Sequence, residues 1–310
     1  MAKKGRGRPK RQRRQKQQAQ YEVLDKYPVL PPHAFARVVR DLRTLNIMYQ
    51  AIEPPLNKKE QAQFEEIMDI FVKALTADIE EIDADPDGYL RAAMDQIIKS
   101  YGMKITKKSR SKIFYYLRRD LVGYGRMDVL MNDANVEDVS LDGTNIPIFA
   151  YHRKFESVET SIAWPTDEEL ESYVIKLAQR CGKHISVAEP LLDATLMDGS
   201  RIVMKLGYEI STKGSTFCIR RFREDPFSPC DIVAFRTMTS LMVAYMWIAF
   251  QQGISMLFVG GTASGKTTTL NAMALFIPWQ MKIVSIESTR EVNIPQPNWI
   301  PGLTRQGFGG

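Results

Sequence analysis

The octapeptide at residues 260–267 constrains this chain more than any other segment. It reads Gly-Gly-Thr-Ala-Ser-Gly-Lys-Thr and fits the phosphate-binding pattern G-x-x-x-x-G-K-[ST]. The apolar run Ile254–Val259 before it predicts a strand, and the apolar spacing from Thr268 to Phe276 predicts a helix. A strand, a glycine-rich loop and a helix in this order are typical of an α/β nucleotide-binding domain.

The residue types of the loop indicate which chemistry it supports. Glycines let the backbone wrap an anion, so that successive N–H groups and a helix N-terminus point at phosphate oxygens. Lys266 is expected to reach the β and γ phosphates, and Thr267 to hold Mg²⁺ through its hydroxyl, whereas a plain glycine-rich turn needs neither. We therefore predict ATP and Mg²⁺ as cofactors, with Thr267 as metal ligand and binding by Gly260, Gly261, Thr262, Ala263, Ser264, Gly265, Lys266, Thr267 and Thr268.

The chain continues for only a short distance after this loop. The strand predicted over Lys282–Ile286 and a proline-rich stretch over 295–310 follow the helix, and the only later carboxylates are Glu287 and Glu291. P-loop ATPases hold Mg²⁺ with a second acid on a later strand. We therefore expect a partial nucleotide domain, with weak nucleotide binding and little turnover by this chain alone.

Composition describes a globular chain with a separate basic tail. The hydrophobic content is 44%, enough for a sizeable core, and the formal net charge is +6. Residues 1–20 carry nine lysines and arginines and no acid, so the remainder of the chain is net acidic. The tetrad Arg6-Gly7-Arg8-Pro9 resembles an AT-hook that binds the DNA minor groove. A solvated tail that contacts any polyanion or anionic surface is the alternative.

Cysteine usage and hydropathy favour a cytoplasmic location. Cys181, Cys218 and Cys230 are odd in number and have no metal or redox spacing, which is typical of reduced thiols. The basic N-terminus precedes a glutamine-rich stretch, so it does not resemble a signal peptide. The most hydrophobic stretch, Leu241–Phe250, is too short to span a bilayer and predicts a buried core helix.

Pattern changes along the chain divide it into four parts. We expect a disordered tail over 1–20, a helical N-terminal module over 21–100, an α+β domain over 101–236 and a partial nucleotide-binding domain over 237–310. The fold class is therefore α/β, with a helical preface and an α+β domain before the P-loop domain. Within the α+β part, helices are predicted at Ser111–Leu121 and Asp167–Gln179, and strands at Val136–Leu141, Ile146–Tyr151, Ile202–Leu206 and Thr216–Phe222.

Several motifs in a fixed order resemble the type II/IV secretion-system ATPase family, over roughly 101–310. The most similar branch is the archaeal one, which drives archaellum or pilus assembly and protein secretion. The resemblance implies a RecA-like ATPase domain, a homo-hexamer and a membrane platform protein as partner, with the chain cytoplasmic and peripherally associated with the membrane. The motifs are Arg119–Asp128, Glu137–Ser140, Gly182–Ser186, Asp198–Arg201, the P-loop and Ile283–Glu287.

The same resemblance indicates candidate catalytic residues. The family's acidic box, Glu-Asp-x-x-Glu, matches residues 287–291, with Ser288 in place of the aspartate. Glu291 could orient and deprotonate the attacking water, and Glu287 could hold a magnesium-bound water. A surface acid beside Arg290 is the alternative for Glu291. Arginines that would neutralise charge on the γ phosphate are, in order of preference, Arg201 and then Arg221 and Arg220, any of which could instead be a solvated strand end.

The family's second magnesium acid and its histidine segment have no counterpart here, so we expect a C-terminally truncated motor ATPase. We predict an ATP-binding subunit of a hexameric motor that couples hydrolysis to the export or polymerisation of pilin-like proteins. Two alternatives stay open. One is a non-catalytic docking or regulatory fragment of the motor, and the other is a DNA-handling ATPase of the conjugation type.

Overall fold

The structure, a computed structural model, describes residues 21–74, 85–222, 226–261, 264–287 and 290–304. The tail over 1–20, with its AT-hook-like tetrad, lies outside these ranges. The described residues form two compact units. The N-terminal unit contains the described parts of Met1–Ile175, Ser186–Pro190 and Met204–Cys218, and the P-loop unit those of Lys176–Ile185, Leu191–Val203 and Ile219–Gly310.

Groups of strands and groups of helices follow one another along the described chain, which confirms the mixed α/β class. The strands are β1 Tyr21–Leu30, β2 Ala34–Asp41, β3 Ile47–Ile52, β4 Val136–Leu141, β5 Phe149–His152, β6 Glu156–Thr160, β7 Leu191–Thr195, β8 Arg201–Lys205, β9 Thr216–Arg220, β10 Ile283–Glu287 and β11 Trp299–Leu303. The helices are α1 Lys58–Ala74, α2 Pro86–Ser100, α3 Lys107–Leu121, α4 Asp128–Asn132, α5 Asp167–Arg180, α6 Pro229–Ala234, α7 Ser240–Gln251 and α8 Lys266–Ala274.

The N-terminal unit begins with strands, so the helical module predicted over 21–100 is wrong for residues 21–52. β1, β2 and β3 form an antiparallel meander, and β3 then pairs in parallel with β6. In β2 the residues Ala34, Ala36 and Val38 are buried while their neighbours Phe35 and Arg37 are half-buried, which is the period-two pattern of a strand. The prolines at 31–32 and 54–55 lie beyond strand ends and do not separate helices.

The rest of that module is helical, as predicted. α1, α2 and α3 share one apolar core, to which they contribute Ile67, Phe71, Leu90, Met94, Ile97, Ile113 and Leu117. Helix starts are fixed by side-chain caps: the Asn57 side chain accepts the N–H of Glu60 at 2.9 Å, and that of Thr106 accepts the N–H of Ser109 at 3.2 Å.

Predictions for the α+β part agree well with the structure. β4 has the predicted bounds, β8 and β9 lie within two residues of theirs, and β5 begins three residues later than expected. Helices α3 and α5 are four residues and one residue longer than predicted. The short strands β6 and β7 were not predicted.

The P-loop unit differs from expectation in two places. The run Ile254–Val259 is not a strand in the structure, and no described segment pairs with it. Helix α7 forms over the predicted stretch, but Leu241 and Tyr245 are exposed, and only Val243 and Ala249 of the helix are buried. No helix in the described ranges is both long and apolar enough to cross a lipid bilayer.

The C-terminal part of the P-loop unit is a two-stranded parallel sheet. β10 pairs with β11, from Ile283 opposite Trp299 to Glu287 opposite Leu303. β10 starts one residue later than predicted, and β11, which was not predicted, lies in the proline-rich stretch over 295–310. A cavity of about 640 Å³ lies between β10 and residues 254–258, and Thr267, Glu287 and Glu291 also line it.

Candidate functional site

The phosphate-binding loop has the backbone that its glycines predict. Gly265 directly precedes α8 and adopts φ +84°, a left-handed conformation that disfavours a side chain. A Cβ at Gly260 would lie 2.5 Å from Ser264 Oγ, so a side chain there would require the Ser264 hydroxyl to rotate away. Backbone conformation thus favours glycine at 265, and close packing favours it at 260. Thr262 and Ala263 lie outside the described residues.

Polar groups of the loop converge on the start of α8. Lys266 Nζ donates to the carbonyl of Gly261 at 2.5 Å, and Ser264 Oγ donates to the same carbonyl at 2.9 Å. No described side chain caps the helix at Gly265, so the N–H groups of its first turn, which includes Thr267 and Thr268, have no side-chain acceptor there. A bound phosphate would satisfy them and would compete with Gly261 for the ammonium group.

The described residues 290–293 after β10, here called the acidic loop, meet the P-loop at Thr267. The hydroxyl of Thr267 donates to Glu291 Oε2 at 2.8 Å, and the Glu291 side chain is exposed to solvent. The sequence predicted Thr267 as the metal ligand and Glu291 as the acid that acts on water, and the structure brings the two together. Neither role follows from this contact alone.

Glu287 has a different position from Glu291. It ends β10, and its Oε2 accepts the backbone N–H groups of Glu291 and Val292, each at 2.8 Å. Its Oε1 is buried and has no hydrogen-bond partner among the described residues. Oε2 of Glu287 therefore holds the backbone of the acidic loop, and Oε1 is an acceptor without a hydrogen bond among the described residues. Ser288 of the predicted acidic box is outside the described residues.

Sequence reasoning missed one residue of this site, Asn271. It lies one helical turn after Thr267 on α8 and is largely buried. Its Nδ2 donates to the carbonyl of Glu291 at 2.9 Å, and its Oδ1 accepts the N–H of Asn293 at 3.2 Å. A polar residue four positions after the P-loop threonine, within an otherwise apolar helical segment, was the available signal.

The oxygen-rich surroundings of Thr267 suit magnesium. A hydroxyl and two nearby carboxylates are the hard ligands that Mg²⁺ prefers, and Mg²⁺ commonly takes only one or two of them from the protein. The described residues contain no cluster of three or more histidine, cysteine or acidic side chains able to hold a metal ion without substrate. The residues present therefore fit a cation that arrives with a nucleotide.

The predicted arginines all lie in the P-loop unit. Arg201 Nη2 and Nε donate to the two carboxylate oxygens of Asp193, at 2.6 and 3.1 Å. This pairing raises the pKa of Arg201, and the charge of Glu291 acts in the same direction, so Arg201 lies within electrostatic reach of the acidic loop. Arg220 ends β9 with an exposed side chain, and the half-buried Arg221 follows it.

Comparison with known families decides the identity of this fold and loop. The family described as type II/IV secretion system protein matches residues 147–301, which is half of the chain. The chain belongs to this family. The matched region runs from β5 to β11, so this secretion family member carries its P-loop and acidic loop within the segment that defines the family.

Relatives of this family member come from archaea and bacteria. Over 204 residues it is 39% identical to the uncharacterized protein MJ0900 of Methanocaldococcus jannaschii, covering 66% of this chain and 37% of the relative. Over 165 residues it is 26% identical to the type IV secretion system protein VirB11 of Bartonella henselae, covering 43% of this chain and 46% of the relative. The chain thus spans less than half the length of either relative.

A solved structure with a partial likeness is the VirB11 ATPase from the Brucella suis type IV secretion system, in complex with sulphate. It is 20% identical, the alignment covers 60% of each chain, and the TM-score is 0.31. At this score the likeness adds no argument to the family assignment.

Proposed function

We propose that this chain is an ATP-binding and ATP-hydrolysing subunit of a secretion or filament-assembly motor. The observation that carries the proposal is the hydrogen bond between Thr267 and Glu291, directly beside the phosphate-binding loop. It places the hydroxyl suited to a nucleotide-bound cation next to the carboxylate suited to a water molecule. A glycine-rich turn with a purely structural role would need neither group.

Each residue then has a defined task. The N–H groups at the start of α8 and the ammonium group of Lys266 bind the phosphates, and Thr267 holds Mg²⁺. The bound cation supplies neutralisation of phosphate charge. Glu291 orients the attacking water and accepts its proton. Arg201, aided by Arg220 or Arg221, stabilises the charge that builds on the transferring phosphoryl group.

Membership of the family supports a proposal for the partners and location of the motor. A type IV secretion system protein among the relatives supports a role in moving macromolecules across a membrane. We propose that the chain acts as part of a homo-hexamer at the cytoplasmic face of a membrane. There it contacts a platform protein and drives the export or polymerisation of pilin-like subunits or other cargo.

Single-turnover hydrolysis, with protein in excess over ATP, tests the enzymatic part of this proposal even when turnover is slow. Lys266→Ala should abolish phosphate release, because the ammonium group that binds the β and γ phosphates is lost. Glu291→Gln should slow it by about 10²- to 10⁴-fold, the usual contribution of a general base. Lys282→Ala, which removes an exposed lysine of the same unit, is the matched control and should leave the rate unchanged.

Equal rates for wild type and Lys266→Ala would mean that the released phosphate comes from a contaminant. No release by wild type at any protein concentration would contradict the ATPase proposal. A Glu291→Gln rate equal to wild type would remove Glu291 from the reaction and leave the binding roles intact.

A further inference from the structure

We propose that Asn271 is a positioning residue that sets the Glu291 carboxylate against the Thr267 hydroxyl. The inference rests on the proposed function, since it concerns the metal and water site of that same nucleotide-binding loop. Thr267 and Asn271 lie four residues apart on α8 and therefore on one face of the helix. Both side chains contact the acidic loop. Thr267 donates to the side chain of Glu291, and Asn271 donates to the backbone carbonyl of Glu291.

The side-chain amide holds the acidic loop at two points. Its Nδ2 donates to the carbonyl of Glu291, and its Oδ1 accepts the N–H of Asn293. A carbonyl needs a donor and an N–H needs an acceptor, so the two partners together allow only one orientation of the amide. Asn271 is 9% exposed, so water competes little for these bonds.

The anchors of the acidic loop divide between two elements. Glu287 ties the N–H groups of Glu291 and Val292 to the end of β10. Asn271 ties the backbone of the loop to α8, the helix that also carries Thr267. The separation between the Glu291 carboxylate and the Thr267 hydroxyl is therefore fixed by Asn271, whereas Glu287 fixes the loop relative to the sheet.

Gln296 offers a matched control for a buried amide in the same segment. It is 4% exposed, and its Nε2 donates to the carbonyl of Ala274 at 3.1 Å and to that of Ile277 at 3.4 Å. It thus connects the segment after the acidic loop to the C-terminal end of α8. Its hydrogen bonds do not involve Glu291. A general loss of stability should appear in both Asn271→Ala and Gln296→Ala. A change in the position of the Glu291 carboxylate should appear only in Asn271→Ala.

The first measurement is Mn²⁺ binding to protein loaded with a non-hydrolysable ATP analogue, followed by electron paramagnetic resonance. The Glu291 carboxylate that Asn271 positions accepts from the Thr267 hydroxyl and so orients the group that binds the cation. Asn271→Ala should therefore weaken Mn²⁺ binding by about 10- to 100-fold, the usual effect of losing a group that orients a metal-site residue. Binding of the analogue without metal should be unchanged, and Gln296→Ala should leave both affinities unchanged. In a Glu291→Gln background the effect of Asn271→Ala should vanish, because the positioned carboxylate is gone.

The second measurement, backbone hydrogen exchange, needs no nucleotide. Asn271→Ala should increase exchange at residues 291–293, and Gln296→Ala should not. Unchanged exchange in Asn271→Ala would overturn the inference, as would wild-type Mn²⁺ affinity or a loss that persists undiminished with Glu291→Gln. Failure of the wild-type protein to bind the analogue would instead overturn the proposed function, and the exchange result would still decide whether Asn271 holds the loop.

Discussion

The two units of this protein differ in how far their apolar side chains are buried. In the N-terminal unit the helices α1, α2 and α3 cover one another, and residues such as Ile67 and Leu117 are fully buried. In the P-loop unit Leu241 is 80% exposed and Leu257 is 87% exposed, although both lie in strongly apolar runs. A hydrophobic pattern therefore identifies an apolar segment without indicating whether another segment covers it.

The P-loop unit nevertheless has a defined polar site. Thr267, Asn271 and Glu287 each hold the acidic loop by hydrogen bonds of 2.8 to 3.2 Å. One buried apolar cluster of this unit consists of Ile232, Val243, Ala272 and Met273. Side-chain hydrogen bonds thus position the candidate site, whereas apolar packing fixes the helices of the N-terminal unit.

The largest expected effect comes from a pair of leucine truncations. Leu117→Ala should lower the free energy of unfolding of the N-terminal unit by about 2–5 kcal/mol, because it leaves a cavity in a filled core. Leu257→Ala removes a side chain that contacts mainly water and should change stability by less than about 0.5 kcal/mol. Urea denaturation of both variants measures the difference. Similar losses would show that Leu257 is covered in solution and that the two units do not differ.

A smaller effect on stability is expected from removing two carboxylates that accept hydrogen bonds from hydroxyl groups. Asp133 Oδ2 is buried and accepts from Tyr27 at 2.7 Å and from Tyr49 at 2.8 Å. Asp133→Ala should cost about 1–3 kcal/mol, because at least one buried hydroxyl loses its acceptor. Glu291→Ala breaks a bond of the same length in an exposed setting and should cost less than about 0.5 kcal/mol. Equal costs in thermal or urea unfolding would contradict the contrast in burial.

The smallest expected effect is a pH dependence of the unfolding free energy of the N-terminal unit. His152 Nδ1 accepts the N–H of Lys154 at 3.1 Å, so the neutral ring carries its proton on Nε2, 2.9 Å from the Tyr27 oxygen. Burial lowers the pKa of His152 below its ordinary value of 6.5. The unfolded chain then binds the proton first, so this contribution to stability is present above about pH 6.5 and is lost as the pH falls.

Unfolding free energies measured between pH 7.5 and 5.5 should therefore decline more steeply for wild type than for His152→Gln. Identical slopes for wild type and His152→Gln would show that the buried ring does not resist protonation.

Sequence alone predicted the parts of the fold whose signals are local. β4, α3, α5 and α8 combine a clear apolar period with caps or glycines, and their predicted positions are close to those observed. The strands over 21–52 were missed because proline pairs were interpreted as helix breaks, whereas the alternation of small and large residues in β2 was the better signal. Ile254–Val259 is apolar enough for a strand, but a strand also needs a partner, which a local pattern cannot show.

The candidate site was predictable to a similar extent. The motif and the family resemblance indicated Lys266, Thr267 and Glu291, and the structure brings Thr267 and Glu291 into contact. Asn271 was missed because its partners are backbone groups 20 and 22 residues away in sequence. The assigned roles stay predictions, and so do the four domain boundaries.

Titration calorimetry with ATP, in the presence and absence of Mg²⁺, tests most directly the claim that the P-loop and the acidic loop form one nucleotide site. Wild-type protein should bind ATP, and Mg²⁺ should strengthen binding in wild type but not in Thr267→Ala. Absence of any binding heat for wild type at all accessible ATP concentrations, with circular dichroism showing an intact fold, would contradict the account.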